Sequence, residues 1–360
     1  MSCPECRAEF LVAFSCQRRG LCPSCAAKRG ALFGAFLAEE VVEDVGHCLW
    51  TFTIPKMLRV FFRHHRELLG GLCRAGWEVV RELMAAALGD PSFRPGMVAV
   101  VQTHGDRLDW HPHVHAIATR GGWDAEGGFV PMPFVSTTAA ERLFRHKVIT
   151  LLRDEELLTE ERIELLLSWR HSGFSAHNAV TVPPGDRDGI ERLARYLLRA
   201  PVSLERLRVD PRTRSIHYRP KGAHPRHAES TFEVTEFLAR LLQHVPEPRL
   251  HQVRYYGFYS NVARARRAEG EADREVIPGP EATEPGAAGH RRLRRSWAQL
   301  IRRIYEVDPL TCAECGSEMR ILAFLLAPAV VRKILDHLDK RPDRTRAPPA
   351  PAGVATAALR

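Results

Sequence analysis

Residues 108–119, LDWHPHVHAIAT, decide the fold, because histidines at every second position lead into a run of small apolar residues. Side chains on a β-strand alternate between the two faces of a sheet. His113 and His115 therefore project together, while Val114 and Ala116 point into the core on the other side. The stretch predicts a strand with one apolar face and two imidazoles on the opposite face.

A second strand precedes this one. Residues 97–103, MVAVVQT, are joined to the histidine strand by a polar turn, which predicts an antiparallel pair. Pro112 favours a strand start near residue 112 or 113, which leaves His111 off the shared face. Strand-rich and helix-rich segments then intermix without βαβ regularity. The predicted fold class is α+β, an antiparallel sheet with flanking helices.

Two imidazoles on one face of a strand are suited to hold a metal ion. Candidates for the third ligand lie on the preceding strand, at Gln102 and His104. Two histidines, one oxygen ligand and open positions suit magnesium or manganese as a Lewis acid, whereas a closed zinc site would need a third His or Cys. We therefore expect magnesium or manganese at this site.

Residues 185–201, GDRDGIERLARYLLRAP, predict an amphipathic helix with a tyrosine among arginines on its polar side. The cations would bind a phosphodiester that the phenol attacks. The polar residues concerned are Arg192, Arg195, Tyr196 and Arg199, with Trp110 beside the histidines as a further surface for stacking DNA bases.

The 360 residues carry 52 Lys and Arg against 43 Asp and Glu, a net charge of +9 that favours a polyanionic partner. No run approaches the roughly 18–20 apolar residues of a membrane-spanning helix. Cysteines and charges occupy the N-terminus where a signal peptide would have its apolar segment. We expect a cytoplasmic protein with no membrane partner.

Cysteines occur in pairs with metal-binding spacing, CPEC at 3–6, CPSC at 22–25 and CAEC at 312–315. The first two pairs predict a four-thiolate zinc site whose metal stabilises a segment with little core of its own. The predicted zinc ligands are Cys3, Cys6, Cys22 and Cys25, with Cys16 as an alternative. Cys312 and Cys315 are further zinc candidates, although CAEC supplies only two thiolates.

Composition divides the chain into five parts. The segment between the two larger parts is rich in Glu, Gly, Pro and Ala without apolar periodicity, which is typical of a linker. The predicted parts are a zinc-binding domain at 1–30, a catalytic domain at 31–268, a linker at 269–290, a basic helix with the CxxC region at 291–340, and a disordered tail at 341–360.

The order of these motifs resembles the insertion-sequence-ninety-one family of rolling-circle transposases. The motifs that carry the resemblance are the paired CxxC motifs, HPHVH, HSGFSAHNAVTVP, LARYLLRAPVSLERL, VRYYGFYSN and DPLTCAECGSEMRILAF. The resemblance covers residues 1–340 apart from the linker. Such proteins belong to the HUH single-strand endonucleases, named for two histidines flanking a bulky apolar residue.

The resemblance implies that His113 and His115 are the HUH pair and that a facing helix carries the attacking tyrosine, here Tyr196. It implies a nick in single-stranded DNA at transposon ends, through a 5′-phosphotyrosine intermediate, and later rejoining. Members with two tyrosines have the first one four residues earlier, where this chain has Arg192, so a one-tyrosine enzyme is expected. Tyr255 and Tyr259, four apart in RYYGFYSN, are the second choice.

Relatives usually have more residues before the first CxxC, so we expect the zinc domain here to be truncated or its start to be misassigned. Two other functions stay open. A zinc-dependent DNA-binding protein without catalysis, such as a decayed transposase, would bind transposon ends without cutting. The string HPHVHA also resembles histidine-triad nucleotide hydrolases, which need neither cysteine clusters nor Tyr196.

Overall fold

The computed structural model of the chain describes residues 2–9, 23–132, 135–220, 229–248, 250–272, 310–320, 322 and 328–339. The chain divides into two compact units, one formed by residues 1–16 with 278–360 and the other by residues 17–277. This division differs from the predicted one, in which residues 1–30 form a domain of their own. No helix among the described residues is both long and apolar enough to cross a membrane.

The larger unit alternates helices with short strands. Its helices are α1 (Pro23–Phe36), α2 (Arg59–His64), α3 (Leu69–Leu88), α4 (Thr137–Asp154), α5 (Glu160–Ser168), α6 (Arg187–Leu197), α7 (Val234–Leu242) and α8 (Asn261–Ala272). Its strands are β1 (His47–Thr53), β2 (Gly96–His104), β3 (Trp110–Thr119), β4 (Gly121–Trp123), β5 (Phe129–Pro131), β6 (Ser175–Val182), β7 (Leu207–Asp210), β8 (Ser215–Tyr218), β9 (Ser230–Glu233) and β10 (Val253–Gly257). The smaller unit contains α9 (Pro328–Asp339).

Five strands form the central sheet in the order β10-β2-β3-β1-β6, and every neighbouring pair is antiparallel. The predicted α+β class with an antiparallel sheet is confirmed, as are the strands over 97–103 and 113–119. Smaller sheets are formed by β4-β5 and by β7-β8-β9. Helix α8 runs into the predicted linker as far as Ala272. The rest of the linker, the predicted basic helix at 291–307 and the tail at 341–360 lie outside the described residues.

The predicted start of the histidine strand is wrong, because β3 begins at Trp110, before Pro112. Opposite this proline, the pairing of β2 with β3 shifts register between Gln102 and His104. On the other side of β3, the pairing with β1 ends at Thr53 opposite His113. A proline is tolerated at such a bulge, because no neighbouring strand needs an N–H from the residue at that position. The ring of His111 nevertheless lies beside that of His113, with ring centroids 5.0 Å apart.

The central sheet packs against helices on both faces. One face carries Val114 and Ala116 and packs against α3 and α4 in the larger buried cluster. The other face carries Val100 and Ile117 and packs against α6. Alternation along β3 places the two predicted metal-binding histidines on this second face, so the sheet and α6 hold the candidate site between them.

Helix α6 is held in position by α1, which approaches it closely at Gly34. A Cβ added to Gly34 would lie 3.3 Å from the Cα atom of Glu191. The side chain of Asp186 caps the start of α6 by accepting a hydrogen bond from the amide of Gly189 at 2.8 Å. The buried residues of α6, with Leu198 after it, match the predicted apolar face, namely Ile190, Leu193, Ala194, Leu197 and Leu198.

Candidate active site

His113 and His115 are buried side by side on β3, and their ring centroids are 4.7 Å apart. The Nδ1 atom of His113 lies 2.7 Å from the carbonyl oxygen of His111, and Nδ1 of His115 lies 3.0 Å from the hydroxyl of Thr51 on β1. Protons on these Nδ1 atoms leave the lone pairs on Nε2, the arrangement of a metal-binding histidine. Sequence reasoning missed Thr51, although its place opposite His115 follows from the register of β1 and β3.

Burial keeps the imidazoles neutral. It lowers the pKa of His113 to about 4 and, with nearby positive charge, holds the pKa of His115 well below its usual value. Burial and the Arg199 guanidinium lower the pKa of His104 to about 2. Neutral imidazole is the form that binds metal ions, so these histidines are ready to act as ligands at neutral pH.

Tyr196 lies in the last turn of α6 and contacts the histidine face of β3 directly. Its ring meets that of His115 edge to face, with centroids 4.9 Å apart. The guanidinium carbon of Arg199 lies 4.7 Å from the centroid of the tyrosine ring. The structure thus brings the predicted nucleophile, one predicted metal ligand and one predicted phosphate-binding cation together, although they come from separate parts of the sequence.

Gln102 fastens the end of α6 to the sheet. Its Nε2 donates to the carbonyl oxygens of Tyr196 and Leu197 at 2.9 and 3.0 Å. Its Oε1 accepts from Nε of Arg199 at 3.1 Å. All three contacts require the same orientation of the amide. The oxygen proposed as a metal ligand is therefore already engaged by Arg199.

His104 is buried at the end of β2 and pairs with Trp110 across the bulge. His111, which was predicted to lie off the shared face, has a buried Nε2 with no hydrogen-bond partner. Within the described ranges, only a cysteine cluster brings three or more His, Cys, Asp or Glu ligand atoms within 4.8 Å of one another. The described histidines therefore do not form such a set of three.

The other predicted DNA contacts are engaged within the protein. Arg192 lies 3.4 Å from a carboxylate oxygen of Asp186, and Arg195 lies 3.2 Å from one of Glu191. The indole N–H of Trp110 donates to the carbonyl of Arg59 at 2.9 Å, and its ring stacks on His244 with Arg66 against it. Their roles in binding DNA stay predictions.

The second-choice tyrosines lie away from this arrangement. Tyr259 is fully buried, and its hydroxyl lies 2.7 Å from Nε2 of His47. Tyr255 is half-buried on β10 with the guanidinium of Arg264 over its ring. Burial raises the pKa of both phenols. These surroundings favour structural roles for both tyrosines.

Tyr259→Phe is expected to lower the free energy of unfolding by about 1–3 kcal/mol, because it leaves the buried His47 without its hydroxyl partner. Urea denaturation measures this loss. A covalent adduct with DNA, if formed by the native protein, should form equally well in the variant. Loss of the adduct at unchanged stability would instead assign a chemical role to Tyr259.

The cysteines pair differently from the predicted zinc set. Cys3 and Cys6 lie together with Cys312 and Cys315, their sulfur atoms all within 4.8 Å of one another. Cys25 belongs to α1 in the other unit, and Cys16 and Cys22 lie outside the described residues. Spacing could not have separated these possibilities, because each CxxC offers the same two thiols.

Comparisons with known proteins agree with these observations. The family described as "Putative transposase" matches residues 96–267, and that described as "Transposase zinc-binding domain" matches residues 1–54. No solved structure matches the chain significantly.

Two curated proteins are similar over most of their length. The "Transposase for insertion sequence element IS801" of Pseudomonas savastanoi pv. phaseolicola is 26% identical over 343 residues, covering 88% of this chain and 76% of that protein. "Putative transposase y4qJ" of Sinorhizobium fredii is 27% identical over 294 residues, covering 74% and 71%. The resemblance found in the sequence is confirmed, and the chain is a transposase of the insertion-sequence-ninety-one and IS801 type.

Proposed function

We propose that this transposase nicks and rejoins single-stranded DNA at transposon ends as a one-tyrosine HUH enzyme, with Tyr196 as nucleophile. The observation that carries the proposal is the contact between the rings of Tyr196 and His115, 4.9 Å apart, at a face where Nε2 of His115 is buried without a partner. A phosphodiester placed there would meet a phenol on one side and metal ligands on the other.

In the proposed step, Oη of Tyr196 attacks the scissile phosphorus and the bond from phosphorus to the 3′-oxygen breaks. The phenol loses a proton and the departing 3′-oxygen takes one up, so the products are a 5′-phosphotyrosine and a free 3′-hydroxyl. Arg199, whose guanidinium lies over the tyrosine ring, would attract the scissile phosphate. Attack by the 3′-hydroxyl reverses the step and rejoins the strand without nucleotide hydrolysis.

The residues present fit a divalent metal ion. A buried imidazole nitrogen without a hydrogen-bond partner, as at His115, costs free energy unless something binds it. His113 and His115 would hold magnesium or manganese, with His104 or His111 as further candidates. When bound, the ion would withdraw electron density from a non-bridging phosphate oxygen.

A cleft of about 80 Å³ opens beside Gln102, next to the end of α6. Arg66, Arg199 and Arg254 line it, together with Trp110 and the residues that follow α6. Arginines attract phosphates, and the net charge of +9 acts in the same direction. This positive charge supports a nucleic-acid strand as the substrate.

The direct test is to incubate the full chain with a labelled single strand from the element's own terminus, with magnesium or manganese. A protein–DNA adduct that survives denaturation is expected, and EDTA should prevent it. The matched duplex should give no adduct. Binding of the strand without any adduct would overturn the proposal in favour of a DNA-binding protein without catalysis, and cleavage of mononucleotides would favour a histidine-triad hydrolase.

Gln102→Glu distinguishes the two roles considered for this residue. The change removes the amide donor to the carbonyls of Tyr196 and Leu197 but keeps an oxygen suitable for magnesium or manganese. If Gln102 positions Tyr196, adduct formation should slow by about 10- to 100-fold at unchanged manganese affinity. Single-turnover kinetics and a manganese titration measure both quantities. Full activity in the variant would make Gln102 a metal ligand.

A further inference from the structure

We propose that Cys3, Cys6, Cys312 and Cys315 together hold one structural zinc ion, so that CAEC near the C-terminus completes the site begun by the N-terminal CPEC. The sulfur atoms of Cys3 and Cys315 are 3.5 Å apart, and those of Cys6 and Cys312 are 3.6 Å apart. A tetrahedral zinc ion with Zn–S bonds of about 2.3 Å separates its sulfur ligands by about 3.8 Å. The spacing fits such an ion.

The two CxxC segments share one pattern of backbone hydrogen bonds. In each, the carbonyl of the first cysteine accepts from the amide four residues later, and the amide of that cysteine donates to the carbonyl five residues later. The bonds are Arg7 N to Cys3 O at 3.0 Å, Cys3 N to Ala8 O at 2.8 Å, Gly316 N to Cys312 O at 2.9 Å and Cys312 N to Ser317 O at 2.8 Å. The segments are therefore matched zinc knuckles.

The match extends to backbone conformation. The residue after the second cysteine is left-handed in both knuckles, with φ of 59° at Arg7 and 74° at Gly316. A left-handed arginine is uncommon, whereas glycine adopts this conformation freely. That both segments turn in the same way at the same position indicates that each directs its two thiols to a common point.

Backbone hydrogen bonds join the knuckles to each other. Ser2 and Arg320 exchange amide-to-carbonyl bonds of 2.8 Å in both directions. Among the described residues of this unit, the buried cluster contains only Cys3, Cys312 and Met319, with Ala8 against it. These few buried residues contribute little stability to the two knuckles, and a bound metal ion would add to it.

The proposed site differs from one confined to the N-terminal region. The zinc-binding family match ends at residue 54, well before Cys312 and Cys315. These cysteines complete the tetrahedral set in place of CPSC, whose Cys25 lies in the other unit. The inference does not depend on the proposed nicking reaction, and its test measures no activity.

Zinc per chain, measured by mass spectrometry on the purified full-length protein, tests the site. Cys3→Ser/Cys6→Ser and Cys312→Ser/Cys315→Ser should each remove about one ion, and the quadruple variant should lose no more than either pair. Cys25→Ser is the control. If this variant loses zinc, combining it with Cys312→Ser/Cys315→Ser should give the sum of the two losses. Unchanged zinc in the C-terminal pair variant, or additive losses for the two pairs, would overturn the proposal.

A second measurement avoids variants that fail to fold. The zinc-loaded native protein is treated briefly with a mild oxidant, so that disulfides form while the fold is intact, and its disulfide-linked peptides are identified. Links from Cys3 or Cys6 to Cys312 or Cys315 are expected, because these thiols are neighbours. Links from Cys3 or Cys6 to Cys22 or Cys25 would show that the N-terminal pairs form their own site, and the proposal would fall.

Discussion

Tyr196→Phe should reduce the covalent protein–DNA adduct by at least about 10³-fold, because it removes the attacking oxygen and no other heavy atom. The remaining ring can still make the edge-to-face contact with His115 and lie beneath Arg199. Stability and affinity for the single strand should change little. Quantifying the adduct on denaturing gels, together with fluorescence anisotropy for strand binding, separates loss of chemistry from loss of binding.

Tyr255→Phe is the matched control, because this tyrosine also lies beneath an arginine but on the edge strand β10. It should form the adduct at the native rate. An undiminished adduct in Tyr196→Phe, with loss in Tyr255→Phe, would move the nucleophile to RYYGFYSN. An adduct that persists in both variants would refute either assignment.

Replacing the metal ligands should have the second largest effect. We expect His113→Ala and His115→Ala each to slow adduct formation by about 10²- to 10³-fold. Each change removes an imidazole that would hold the metal ion, and the ion would offset the negative charge of the phosphate. Manganese binding, followed by electron paramagnetic resonance, should weaken in parallel. Native-like unfolding curves would establish that the variants remain folded.

Thr51→Val provides a graded comparison. It keeps the β-branched shape preferred in a strand and removes the hydroxyl that lies 3.0 Å from Nδ1 of His115. Loss of the hydrogen bond that supports a metal ligand typically lowers metal affinity by about 10- to 100-fold. The rate of metal-dependent adduct formation is therefore expected to fall from the native protein to Thr51→Val and further to His115→Ala. Metal-dependent adduct formation at the native rate in His115→Ala would contradict the assigned metal site.

Several elements of the site were predictable because local pattern determines them. Alternation in HVHAIAT places His113 and His115 on one face of a strand, whatever that strand packs against. The apolar periodicity of residues 190–198 likewise indicates the buried side of the helix that carries Tyr196. These predictions are confirmed, since burial of a continuous apolar face stabilises any fold that contains the element.

The strand boundary at Pro112 was not predictable in the same way. Proline is disfavoured at an interior strand position where a neighbouring strand needs an N–H from that residue. Here β1 ends one pair earlier, and β3 itself carries one extra residue relative to β2 at this point. That exception depends on the pairing with two other strands, and the ring of His111 lies beside that of His113.

Local patterns predict the fold class, the histidine face, the helix of Tyr196 and the thiol pairs with zinc spacing, since each depends on neighbours within a few residues. Long-range packing, in contrast, brings Gln102 to the end of α6 and places the thiols of CPEC beside those of CAEC. Local patterns could not predict these contacts, because the partners are distant in sequence and chemically equivalent to their rivals. Every CxxC presents the same two thiols, and an amide serves equally as metal ligand or helix anchor, so packing selects among them.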